Sequence, residues 1–217
     1  MNDTAKLKAS KTCVIATAIT DRADIHSIGI TTFNNKQERT TIPGLKKMTE
    51  DVLRQELGRF YQVKAVVPIP DPNPAKGYHG AMAASRAQHK ADLEVCVYPY
   101  GATPVGIPRH LEVEGFGFYS GGASGSGTVV CYQGLVIRDG VTGKDVASPM
   151  GENDLGIVPD GDTFSRERYK HVSARKLDLG SISAGDLSPA QKQKFLEACR
   201  ELYREKVRNE LWKMELR

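Results

Sequence analysis

VKAVVPIPDPNPAKGYHGAMAASRAQHKADLEVCVY, residues 63–98, holds the alternation that decides the fold. Val63 to Ile69 is a short β-branched apolar run, the length of a strand, closed by Pro68 and Pro70. From Pro68 to Gly77 the chain carries four prolines. Each lacks an N–H donor and restricts the residue before it, so this segment is expected as a long surface loop. Gly80 to Ala91 is alanine-rich and predicts a helix; Leu93 to Tyr98 predicts a second strand. Upstream, Val52, Leu53, Leu57 and Phe60 recur at helical spacing, with Thr49 as the expected N-cap and Glu50 and Asp51 in the first turn. Helix, strand, loop, helix, strand is the pattern of βαβ units and a partly parallel sheet.

Working outward, Thr12 to Ile19 is the best match to a buried central strand. Asp21 to Asp24 is expected to break it, and Ile25 to Phe33 to form the next strand, closed by Asn34-Asn35. Beyond Gly101 the strand-like runs are 113–119, 128–138 and 144–147, the last two joined by Asp139-Gly-Val-Thr-Gly143. Asp-Gly and Thr-Gly supply residues that tolerate positive φ, so a β-hairpin is expected near 128–147. At the C-terminal end Ser188, Pro189 and Gln191 spell an N-cap, a first-turn proline and a capping box. Leu196, Cys199, Tyr203, Val207, Leu211 and Met214 then follow at three- and four-residue steps. The expectation is a single α/β domain over 1–217, a mixed β-sheet flanked by helices. Its parts are a sheet-forming body at 11–150, an irregular excursion at 151–187 and an amphipathic C-terminal helix at 188–215.

The 217 residues carry 30 Lys and Arg against 26 Asp and Glu, a formal charge of +4, with 40% apolar residues. No window approaches the roughly 18 uncharged apolar residues of a spanning helix, so no integral membrane segment is expected. The positive charges are interleaved with acids. Eight basic residues and five glutamates share 190–217, which reads as a solvated helix face rather than a stripe that tracks phosphates, so nucleic acid is not an expected partner. Cys13, Cys96, Cys131 and Cys199 lie far apart, without metal-ligand spacing, and are expected as buried thiols. MNDTAKLKASKTC contains no apolar export core, so the chain as written is expected in the cytoplasm; removal of an export segment would instead place it in the periplasm or envelope.

No cofactor fingerprint is intact, and no cofactor is expected. The run 121–127 lacks the Lys of a phosphate cradle and the spacing of a nucleophile elbow, which leaves it as a connection between strands. None of the five histidines has zinc-site spacing. Asp160 and Asp162, with Glu152, Asn153 and Asp154, form an oxygen-rich stretch that a hard cation would favour; it does not match a calcium loop, so no metal is assigned. In open α/β sheets ligands bind beyond the carboxyl ends of strands. A small-molecule hydrolase of esterase type would therefore use Asp21, Ser124 and His171 around the end of the first strand. The leading expectation is non-enzymatic, a binding or assembly module that offers Pro70, Tyr78, Tyr98 and Tyr100 to a protein partner.

Three pieces together carry a resemblance: TCVIATAITD with IHSIGITTFNN (12–21 and 25–35), ADLEVCVYPY (91–100), and GFGFYSGG with GTVVCYQGLVIRDGVTGKDVAS (115–122 and 127–148). The chain resembles bacterial envelope lipoprotein-like α/β domains of the curli-secretion, Tol-associated and penicillin-binding-protein-activator kinds. The resemblance implies a mixed sheet closed by an Asp…Thr-Gly-Lys hairpin, and an envelope setting. It supplies no catalytic residues, and the sequence as written is expected to depart from the resemblance in its export signal and lipobox cysteine.

Overall fold

The computed structural model describes residues 2–28, 35–69, 78–103, 111–121, 126–148, 173–180 and 187–216. In chain order they form α1 (Thr4–Ala9), β1 (Thr12–Thr17), β2 (Arg22–Ile28), β3 (Lys36–Thr41), α2 (Leu45–Leu57), β4 (Gln62–Pro68) and α3 (Tyr78–His89). There follow β5 (Leu93–Pro99), β6 (Gly101–Ala102), β7 (Val113–Gly121), β8 (Ser126–Asp139), β9 (Asp145–Ala147), β10 (Ser173–Asp178) and α4 (Pro189–Lys213). The expected mixed α/β architecture is the one observed.

Strand order is β3-β2-β7-β8-β5-β1-β4. β1 pairs in parallel with both β4 and β5, as the βαβ reading of residues 63–98 requires. Its residues from Cys13 onward are all buried, the signature of a strand covered on both faces. β8 is the spine. Residues 127–132 pair with β7 and residues 126–131 with β10, while residues 133–139 pair antiparallel with β5 and, near their end, with β9.

Period-two alternation sorts the core. Leu93, Val95 and Val97 of β5 join Ile15, Phe116, Val129 and Cys131 in the main cluster with α2 and α4. Cys96 and Ala16 point the other way, onto Met82 of α3. Burying one such aliphatic or aromatic side chain stabilises by about 1.5–3 kcal/mol, so the main cluster dominates the energetics. All four cysteines are free thiols and buried.

Several expectations are corrected. α2 starts at Leu45, immediately after Gly44, whose φ of +87° suits the glycine. Thr49 is not an N-cap; it is buried mid-helix, and its hydroxyl donates to the Leu45 carbonyl at 2.9 Å. Asp24 is no strand breaker either. It lies inside β2, 1% exposed, and accepts Arg39 Nε–H at 2.8 Å and the Glu114 backbone N–H at 2.9 Å. Residues 173–178, within the stretch expected to be irregular, form β10. α1, β3 and β6 had no counterpart in the sequence reading. The hairpin is as expected: Asp139 accepts from the N–H groups of Val141 and Thr142, and Gly143 takes a φ of +71°. α4 opens with both halves of the Ser188–Gln191 capping box.

Candidate binding groove

α4 turns Cys199, Tyr203, Val207 and Leu211 into the core. Arg204 and Arg208, one turn apart, flank that stripe where α4 packs beside α2. The last turn of α2 places Glu56 there, 1% exposed, and the chain then turns to carry Arg59 to the same spot. Arg208 Nε donates to Glu56 Oε2 at 2.9 Å, and Arg59 Nη1 to the same oxygen at 3.3 Å. Arg204 Nε stands 3.8 Å from Glu56 Oε1, and its Nη2 donates to Gln55 Oε1 at 3.4 Å. Burial pushes the Glu56 carboxyl up, but hydrogen bonds and charge from Arg208 and then Arg59 outweigh it and hold Glu56 below its ordinary range. A buried carboxylate with three guanidiniums is thus the anchor, and the side chains of Arg59 and Arg208 remain more than half exposed.

Over this anchor runs a shallow groove in two lobes that share Arg208 and Asn209. One lobe, about 260 Å³, is lined by the apolar Phe60, Leu211, Trp212 and Leu216 together with Glu56, Arg59 and Arg208. The other, about 250 Å³, is lined by Arg175, Glu201, Arg204 and Glu205; here Arg175 is ion-paired with Glu201. Trp212 is the sole tryptophan of the chain and is 60% exposed. Among the described residues it and Val141 are the exposed large apolar side chains.

The residues singled out from sequence do not gather in this groove. Asp21 lies beyond the end of β1 as expected, but its Oδ1 accepts the Lys46 backbone N–H at 2.7 Å and so caps α2. Its supposed partners Ser124 and His171 lie outside the described residues, as do Pro70 and the cation candidates Asp160 and Asp162. Tyr78 opens α3, and its side chain is outside what is described. Tyr98 and Tyr100 are half-buried at the end of β5. The Tyr98 ring lies over Gly134, where a Cβ would come within 2.6 Å of it, and Tyr100 packs on Tyr132 with ring centroids 5.9 Å apart. His26 is buried and stacked on Tyr119. Among the described residues no group of three or more His, Cys, Asp or Glu side chains could hold a metal ion.

Sequence reasoning passed over the groove because Arg204 and Arg208 alternate with Glu201 and Glu205, the pattern of an ordinary solvated helix face. One signal was present: Trp212 falls off the apolar stripe of its own helix, next to Leu211 rather than in step with it.

No protein-family model matches the chain, and no curated protein matches it. Solved structures similar to the chain include these two. One is protein XCC0632 from Xanthomonas campestris, described as family DUF330, at 13% identity and a TM-score of 0.38, covering 92% of this chain and 83% of that one. The other is a PelC dodecamer from Paraburkholderia phytofirmans, at 14% identity and a TM-score of 0.27, covering 89% and 88%. No described helix is long and apolar enough to cross a membrane.

Proposed function

We propose that this chain is a non-enzymatic binding module of assembly type, and that its protein partner docks over the α2–α4 groove. Trp212 carries the reading: a tryptophan left 60% exposed on α4, lining the same lobe as Arg59, Arg208 and the apolar Phe60 and Leu216. Tryptophan and arginine are the residues most enriched where partners bind tightly, and leaving an indole exposed on a helix that has a core to pack against forgoes burial free energy. The envelope setting enters this reading through the sequence resemblance alone.

The test places the photo-reactive amino acid p-benzoylphenylalanine at position 212 and, as a control, at position 141, the other exposed large apolar site. Irradiation of producing cells is expected to give one discrete cross-linked species from position 212 and none from position 141. Arg208→Glu in the same chain is expected to abolish it. Equal cross-linking at both positions, or none at 212, would overturn the proposal.

A further inference from the structure

We infer that the groove is built for carboxylates, and that the partner presents an acidic peptide segment to the lobe that holds Trp212. The inference rests on the docking reading above and adds its chemistry. Arg208 spends Nε on Glu56 and has both Nη groups at the half-exposed end of its side chain. Two such N–H groups form the fork that takes a carboxylate in bidentate fashion. Arg59 likewise uses only Nη1 on Glu56, with its guanidinium over the Phe60 ring at 5.8 Å. Because Glu56 is buried and fixed by α2, it orders these guanidiniums before any ligand arrives, which lowers the entropy lost on binding. Glu56 is a positioning residue here.

Charge selects the lobe. Around Trp212 the charged lining is Arg59 and Arg208 against Glu56 alone, with Arg204 behind. In the adjoining lobe Glu201 and Glu205 face Arg175 and Arg204, so the positive field concentrates beside the indole. The apolar lining of Phe60, Trp212 and Leu216 would seat an apolar side chain next to the bound carboxylate. That pairing fits a peptide segment mixing acidic and large apolar residues better than a bare anion.

The sole tryptophan makes the lobe its own reporter. The probe is a capped six-residue peptide alternating Glu and Leu, titrated into the full chain at low salt while Trp212 emission is followed. A saturable change is expected, with at least tenfold weaker binding when Gln replaces every Glu, since hydrogen bonds to charged groups carry that much free energy. Arg208→Lys keeps the charge but loses the fork, and is expected to weaken binding about tenfold. Equal affinity for the Glu and Gln peptides, equal affinity of the Lys variant, or saturation by inorganic phosphate alone at matched ionic strength would each overturn the inference. A measurement needing no variant stands beside it: the ratio of iodide to caesium quenching of Trp212 should exceed that of free N-acetyltryptophanamide, and an equal or smaller ratio would contradict a positive lobe. If cross-linking at position 212 succeeds while the acidic peptide fails, the surface stands and its chemistry is wrong.

Discussion

Asp21 is where a catalytic and a structural reading of one residue separate cleanly. Its carboxylate accepts the Lys46 N–H at the first turn of α2, and its carbonyl accepts the Ile42 N–H at 2.7 Å. A cap needs an oxygen acceptor and not a full charge, whereas a catalytic acid or nucleophile needs the carboxyl group itself. Asp21→Asn is therefore expected to leave the urea midpoint nearly unchanged, and Asp21→Ala to cost about 1 kcal/mol. Asn as damaging as Ala would mean that the charge does something the capping geometry does not explain. Residue identity at this point was legible in the sequence, since Asp21 does sit beyond the first strand. Its role was not, because the Lys46 N–H reaches it only through the tertiary path of α2. Asp24 was misread for a related reason. A charged residue argues against a buried strand until its counter-ion is known, and Arg39 arrives from β3, a strand with almost no apolar signal.

At the scale of elements, legibility followed how much local chemistry each one carries. α4 has a capping box and a first-turn proline, and both were readable, as were the buried Cys199, Tyr203, Val207 and Leu211; the buried Phe195 and Leu202 were not. Ser188→Ala is expected to cost about 1 kcal/mol, seen as a lower thermal midpoint with unchanged cooperativity. A larger loss would mean that Ser188 also holds the segment before it. β3, KQERTT, is exposed along nearly its whole length and exists because β2 pairs with it, so no alternation announces it. β10 is as polar and forms against β8. α1 buries only Leu7, too little for a periodic pattern. The start of α2 was displaced because Thr49-Glu50-Asp51 imitates an N-terminus, while Pro43-Gly44 sets the actual one. The candidate groove was the least legible feature, since it is made by two helices and a turn that meet only in the folded chain.

For the molecule as a whole, the titrating groups predict a stability plateau with two edges. Asp139 is held well below its ordinary value by the Lys6 ammonium and by the Thr142 and Val141 N–H groups; Asp92 is held down by the Lys11 N–H and by Thr12. The unfolded chain takes up these protons first as pH falls, so their stabilisation is complete above about pH 4 and is lost below it. Glu94, pushed up by burial against the pull of Arg86, works in the opposite direction and makes the acid edge shallower. On the alkaline side burial raises Cys13 and Cys131 from 9.0 to about 12 and Tyr61 from 10.0 to about 12. These groups stabilise fully below about pH 9, and the contribution drains away as pH rises toward 12. Urea unfolding at a series of pH values is expected to show a flat region bounded by these two declines. A steady slope across neutral pH would contradict it.

The pairing of β2 with β7 reaches across about ninety residues, from Ala23 opposite Phe116 to Ile28 opposite Gly121. As the chain leaves the ribosome, β2 and β3 can form only a two-stranded ribbon, which is marginal in water, and must wait for β7 before they join the rest. Contacts this distant in sequence raise the loop-closure barrier, so refolding belongs to the slow, milliseconds-to-seconds regime rather than that of helical bundles. During that wait the β2 edge that β7 will cover is bare, and this is the interval in which the nascent protein is most exposed to strand-to-strand aggregation and most dependent on chaperones.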